Sequence, residues 1–254
     1  MDSLKFIGII PARFASTRFP GKPLVEIEGM PMIERVYRQA SKALDVVAVA
    51  TDDQRIFDAV LKFGGLAVMT SETHKSGTDR ICEAYDNLNS DADVVINIQG
   101  DEPFIDPDQI QDIRKCFSDP TVRIATLVRH FDKGTGTEAL FNRNTPKVVF
   151  DNNMDALYFS RSVIPFVRNY PEQQWTGHTD FYTHIGMYGY RADTLHELTR
   201  LPQSSLEIAE SLEQLRWLQN GYKIRVAVNN CPTIGIDTPE DLEKACKLAR
   251  ELGL

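Results

Sequence analysis

Short apolar, β-branched runs alternate with amphipathic patterns of helical period through the first half of the chain. The runs predict strands at residues 6–10, 46–51, 66–69, 94–99 and 124–128, and the intervening patterns predict helices at 31–43, 53–63, 79–88 and 107–116. Each strand, helix and next strand is compatible with a right-handed crossover, so the expected fold class is α/β, a mostly parallel sheet flanked by helices on both faces. After about Arg129 the rhythm changes. Polar loops separate shorter runs at 147–150, 156–159 and 187–191 from a helical pattern at 206–219, as in an inserted smaller sheet or lid over about 130–200. A run at 224–228 and a helix opening at Pro239 restore the alternation. Thr238-Pro239-Glu240-Asp241 supplies an N-cap, a first-turn proline and first-turn acids. Without repeats, low-complexity tracts or a long linker, residues 1–254 read as one continuous domain.

With 254 residues, 42% hydrophobic and 25% charged, the chain can bury a substantial core. A net charge of −8 gives it no general attraction for nucleic acid or anionic membrane, so any phosphate site must be local. Met1-Asp2-Ser3-Leu4-Lys5 lacks a basic stretch followed by an apolar one, and no later apolar run approaches the ~20 residues of a spanning helix. A soluble cytoplasmic protein without membrane insertion is expected. Cys82, Cys116, Cys231 and Cys246 are widely separated, without the paired spacing of a zinc or redox motif, and read as reduced structural thiols.

The segment from Pro11 to Pro23 departs from this acidic background. It carries Arg13, Arg18 and Lys22, and no acid lies between Lys5 and Glu26. It follows the first strand, and parallel α/β sheets bind ligands outside the carboxyl ends of their strands. Salt screens distant negative charges beyond ~8 Å. A cation at ~4 Å in an effective dielectric near 20 still contributes roughly 4 kcal/mol before desolvation, so local cations dominate for a polyphosphate. Arg13 can grip phosphate oxygens through its fork and Lys22 as a point charge, while Ser16, Thr17 and backbone N–H groups complete a cradle. The loop lacks both the Walker A pattern and the glycine fingerprint of dinucleotide turns, which disfavours P-loop NTPases and dehydrogenases. A loop with three cations is in general more often a solvated turn, but its place after the first strand, its lack of acids and its Pro20-Gly21-Lys22-Pro23 ending reverse that preference.

The pattern Pro11-Ala12-Arg13, Ser16-Thr17-Arg18 and Pro20-Gly21-Lys22 resembles the signature loop of the 3-deoxy-manno-octulosonate (Kdo) cytidylyltransferase family. The resemblance continues in order through Ser76-Gly77-Thr78-Asp79-Arg80, Gln99-Gly100-Asp101-Glu102-Pro103, Tyr158-Phe159-Ser160-Arg161, His184 with Gly186, Tyr188, Gly189 and Tyr190, Leu206-Glu207, Leu212-Glu213-Gln214-Leu215-Arg216 and Gly235 to Asp241. It implies a Rossmann-like nucleotide-diphospho-sugar transferase sheet, a homodimer formed through the inserted segment, and Mg²⁺-dependent transfer of CMP from CTP to Kdo for lipopolysaccharide biosynthesis. A related sugar acid, amino-modified or sialic-acid-like, is the alternative substrate, and a non-catalytic nucleotide-binding protein the alternative class.

Asp101 follows the strand expected at 94–99 and Asp237 precedes the last helix, positions suited to a hard cation beside phosphate oxygens. On residue type alone they equally begin a turn and cap a helix. The resemblance implies that both hold the metal, with Arg13, Lys22, Asp101 and Asp237 as the catalytic set. It places cytosine contacts at Pro11, Ala12, Ser76, Gly77 and Arg80, with Asp79 standing where Glu is more usual. For the sugar acid it nominates Gln99, Arg161, His184, Tyr188, Glu207, Glu210 and Gln214. The last three share one face if residues 206–219 form a single helix, a face that is more often simply solvated.

Overall fold

The computed structural model describes residues 4–15, 19–232 and 234–253. β1 (Phe6–Ala12) leads through the basic loop to a small antiparallel pair, β2 (Glu26–Ile27) and β3 (Met30–Pro31), and then to α1 (Met32–Ala40). The alternation continues with β4 (Val47–Thr51), α2 (Gln54–Lys62), β5 (Leu66–Met69), α3 (Gly77–Asn87), β6 (Val94–Asn97) and α4 (Pro107–Cys116). β7 (Ile124–His130), α5 (Thr137–Leu140), β8 (Lys147–Phe150), β9 (Ala156–Ser160), α6 (Trp175–His178) and β10 (Tyr182–Arg191) follow. The chain ends with α7 (Ala192–Thr199), α8 (Ser205–Glu210), α9 (Gln214–Gln219), β11 (Arg225–Val228) and α10 (Pro239–Leu252). The architecture is the expected α/β class, with mostly parallel strand pairs and flanking helices.

Contacts divide the chain into two units, Met1–Gln111 with Gly189–Thr199 and Pro232–Leu254, and Asp112–Tyr188 with Arg200–Cys231. In the first, parallel strands run in the order β6-β1-β4-β5, with Gly8 opposite Val47 and Phe6 opposite Val94. Every residue of β4 and β6 is buried. Their apolar runs, Val47–Ala50 and Val94–Ile96, show no alternation because a parallel sheet is covered on both faces. In α2 only Ile56 and Val60, four apart, are buried, so one stripe faces the sheet. Side-chain caps fix where the helices start. Asp53 accepts from Arg55 N at α2, Ser76 and Asp79 form a capping box at α3, and Thr238 and Asp241 form another at α10, with Pro239 in its first turn. Ile27, Met32, Ile236, Ala245 and Ala249 form one buried cluster that anchors α10.

In the second unit β11 runs parallel to β7, Arg225 opposite Ala125, while β8 pairs antiparallel with both β9 and β10. Leu140, Trp175 and Phe181 form its satellite core. Two expectations for this region are corrected. The single helix at 206–219 is two, α8 and α9, interrupted at Ser211, whose φ of 52° is left-handed. The strand expected from Met187 begins at Tyr182. Helix α7 was not legible because it starts directly after β10, at Ala192, with no turn residue between them.

Candidate active site

In the first unit three chain segments meet at the carboxyl end of β1. A Cβ added to Gly100 would lie 3.0 Å from the Pro11 carbonyl oxygen, and one added to Gly77 would lie 3.6 Å from Pro11 Cγ. Only a residue without a side chain lets the loop after β6 approach β1 this closely. The N-terminus of α3 and the segment bearing Asp101 therefore flank Pro11 and Ala12, at the end of the sheet where ligands bind.

The basic loop closes by a hydrogen bond from Gly21 N to Phe14 O at 2.9 Å, with Gly21 in the left-handed region at φ 73°. The Arg55 guanidinium lies 3.3 Å over the Phe14 ring and holds the loop from the side. Closure delivers Lys22 to two acids from distant parts of the sequence. Its Nζ lies 2.8 Å from Asp101 Oδ2 and 3.2 Å from Asp237 Oδ1. Ile236 N donates to Asp101 O at 2.9 Å, so the backbones of the two acidic loops are joined. Because Thr238 caps α10, the Asp237 carboxylate is directed to Lys22 instead of the helix end. Asp237 is 48% exposed against 32% for Asp101, so screening weakens its share of the attraction.

Behind this trio, Arg13 donates to the His74 carbonyl at 2.6 Å, and His74 pairs with Glu83, which also accepts from Ser71 N at 2.9 Å. These contacts order the loop that leads into Ser76 and Gly77. Arg80 is wholly buried. It donates to Thr70 Oγ1 at 2.6 Å and Asp52 Oδ2 at 2.5 Å, while its Nε has no hydrogen-bond partner. A buried guanidinium needs a counterion, which Asp52 provides, and the spare N–H is a donor that a ligand acceptor would satisfy. Asp52 was missed by the sequence reading. Its signal was its position immediately after β4. Gln99 is partly covered, and its carbonyl accepts from Glu102 N at 3.5 Å. Ser16 and Thr17 lie outside the described residues.

The other nominated residues belong to the second unit. Glu210 accepts from Ser160 Oγ at 2.7 Å and Arg161 N at 2.9 Å. The Arg161 guanidinium donates to the carbonyls of Glu210, Arg143 and Ser211 at 2.6, 3.0 and 3.2 Å. Nearby, Lys147 donates to the Asn142 and Thr145 carbonyls, and burial pushes its ammonium below the ordinary lysine range. Nothing but a lysine inside an apolar run hinted at it. Gln214 is buried, with Nε2 unpartnered. Glu207 is tied twice, to the start of α8 through Ser204 and to Arg216 at 2.5 and 2.8 Å. That bidentate pair is a fold contact in its own right.

His184 sits within 3.0 Å of Thr126 Oγ1, with the rings of Phe159 and Tyr188 centred 5.2 and 5.3 Å from its own. Burial pushes it from 6.5 down to about 3, so the imidazole is neutral near pH 7. The unfolded chain then binds a proton that the folded one refuses between about pH 6.5 and pH 3, and stability falls as pH falls through that window. Urea midpoints measured across it should show a component of up to ~1.4 kcal/mol per pH unit that His184→Gln removes. Identical slopes for the two proteins would remove His184 as its source.

The sequence model of the cytidylyltransferase family, described as "Cytidylyltransferase", matches residues 7–224. A 3-deoxy-manno-octulosonate cytidylyltransferase of Parabacteroides distasonis is 60% identical over 95% of this chain and 97% of its own. The enzyme of the same name from Thermodesulfovibrio yellowstonii is 48% identical over 95% and 96%. A solved CMP:2-keto-3-deoxy-manno-octonic acid synthetase complexed with CTP superposes with a TM-score of 0.89 at 42% identity, over 98% of this chain and 99% of that one. A glucose-1-phosphate thymidylyltransferase from Bacillus anthracis, at 16% identity and TM-score 0.66, shares the fold. The chain belongs, within the cytidylyltransferases, to the 3-deoxy-manno-octulosonate cytidylyltransferase family.

Proposed function

We propose that this chain transfers the CMP moiety of CTP to the anomeric hydroxyl of Kdo, releasing pyrophosphate, with Mg²⁺ held by Asp101 and Asp237. The observation that carries the site assignment is the Lys22 ammonium shared between those two carboxylates. Two acids that already share one cation have the placement and the hard oxygen donors that Mg²⁺ requires. When bound, the metal would supply Lewis-acid stabilisation of phosphate charge. Lys22 and Arg13 flank the same end of β1 and would neutralise the triphosphate. The sugar hydroxyl oxygen attacks the α-phosphorus, the bond to the bridging oxygen breaks in line, and the hydroxyl proton passes to solvent. Catalysis then rests on positioning and charge, without a dedicated protein base.

Cytosine selection is assigned to the backbone around Pro11 and Ala12 and to the α3 start at Ser76 and Gly77, with Arg80, whose Nε has no hydrogen-bond partner. Arg161, His184, Tyr188, Glu207, Glu210 and Gln214, all in the second unit, are proposed for the sugar acid. Homodimerisation would use apolar side chains exposed on the second unit, among them Leu157, Phe166 and Ile208. Among the described residues no helix is long and apolar enough to cross a membrane, in keeping with a proposed cytoplasmic location and a role in supplying lipopolysaccharide synthesis.

Incubation with CTP, MgCl₂ and Kdo should yield pyrophosphate and a sugar–CMP adduct detectable by mass spectrometry. Turnover only with an amino-modified or sialic-acid-like analogue would reassign the substrate, and CTP binding without product would favour a non-catalytic nucleotide binder. Lys22→Met gives a further check on the shared site. It removes a cation that competes with the metal, so half-saturation by Mg²⁺ should occur at lower concentration while kcat falls by about two orders of magnitude. A rise in the Mg²⁺ requirement would contradict the proposed competition.

A further inference from the structure

The side-chain cluster Cys82, Asp86 and His196 lies in the first unit, where α3 packs on α7, apart from the residues assigned to the nucleotide. Cys82 and Asp86 are four apart on α3 and so share one helical face. His196, on α7, offers Nδ1 to the Ala192 carbonyl at 2.8 Å and Nε2 to Asp86 Oδ1 at 2.8 Å. The carbonyl can only accept, so Nδ1 carries a proton, and in the neutral ring Nε2 is then a lone pair. An ionised carboxylate also presents only lone pairs. Two such atoms at hydrogen-bond distance require something shared between them, either a proton or a metal ion.

The third group distinguishes these. Cys82 Sγ, Asp86 and His196 present ligand atoms that all lie within 4.8 Å of one another. A buried sulfur adds little to a proton shared by nitrogen and oxygen, but it is a preferred ligand of a borderline-soft divalent ion. Metal bonds of 2.0–2.3 Å hold tetrahedral ligands about 3.3–3.7 Å apart. The 2.8 Å between Asp86 and His196 lies below that range and the widest separation, within 4.8 Å, above it, so binding requires small side-chain adjustments, for which the 54% exposed Asp86 side chain has room. The remaining structure is that of a supported site. The Ala192 carbonyl fixes the ring orientation, Thr199 Oγ1 lies 3.8 Å from Cys82 Sγ, and the Tyr85 ring meets His196 edge-on with centroids 6.0 Å apart.

We propose that Cys82, Asp86 and His196 bind one zinc-class divalent ion, with solvent completing a tetrahedral set on the exposed side, as a clip between α3 and α7. The same α3 opens at Ser76 and Gly77, so the clip steadies the helix that carries the proposed cytosine-binding loop. The sequence gives no sign of such a clip, because Cys82 lacks the paired spacing of a zinc motif and His196 lies on a distant helix.

The test uses the full chain freed of metal with a chelator and titrated with Co²⁺ and Zn²⁺. One equivalent of Co²⁺ should give a sulfur-to-cobalt charge-transfer band and visible bands of tetrahedral intensity. Zn²⁺ should displace the cobalt and raise Tm. Cys82→Ser and His196→Asn should each weaken Zn²⁺ binding by at least about tenfold, and Asp101→Asn should leave it unchanged. Binding that survives both ligand substitutions, or that Asp101→Asn abolishes, would overturn the proposal by placing the ion elsewhere. If Cys82→Ser fails to fold, the unaltered chain decides alone: a cobalt spectrum without the sulfur band, or no stoichiometric binding, refutes the site.

Discussion

Asp101→Asn and Asp237→Asn should each lower kcat/KM for CTP-dependent pyrophosphate release by about two to four orders of magnitude, with only a small change in Tm. Each substitution keeps a carbonyl oxygen that can accept from Lys22 Nζ but removes the charge that makes the pair a cation site. Stability should change little because both acids retain solvent contact and their ion pairs are correspondingly screened. If the two carboxylates act on one ion, the losses will not add. The double variant should be little worse than the poorer single one, as for residues that act as a unit. Near-wild-type rates for Asp237→Asn at saturating Mg²⁺ would remove it from the metal site and leave its bond to Lys22 as a loop contact.

The sequence revealed those features that depend on local pattern. Strands β4 and β6 of the first unit were legible because burial on both faces demands apolar runs without alternation, as in Val94–Ile96. Helix starts were legible where a cap is written into consecutive residues, as at Ser76 with Asp79 and Thr238 with Asp241. The meeting of Lys22 with Asp101 and Asp237 was legible one step further on, because a parallel sheet gathers the loops at its carboxyl end. Pairings made by tertiary contact were not. Arg80 with Asp52, and Glu207 with Arg216, each join residues whose spacing carries no message. The break between α8 and α9 was equally hidden. Ser211 adopts a left-handed conformation without the glycine, asparagine or proline that would announce it.

That break is what gives Glu207 its partner, and it leads to the second large effect. Had α8 run on into α9, residues 207 and 216 would be nine apart on one helix and out of reach of each other. With the chain turned at Ser211, Arg216 returns to clasp both Glu207 oxygens, and the side chains are left 9% and 8% exposed. Removing one member strands the other, so Arg216→Ala should destabilise the protein by about 3–5 kcal/mol, measured by urea unfolding. Glu207→Gln should follow in the same direction, since the α8 cap keeps an acceptor but the guanidinium loses its bidentate counterion. The informative variant is Glu207→Gln with Arg216→Met, in which neither charge remains. If the pair serves the fold alone, the double variant should recover most of the stability lost by the single substitutions and keep the KM for the sugar acid. If Glu207 also touches the sugar, as the family resemblance implies, stability should return while that KM stays raised by about tenfold or more. A double variant as unstable as Arg216→Ala would mean that the arginine's contact with the Leu201 carbonyl, at 3.2 Å, and its packing matter more than the charge it neutralises.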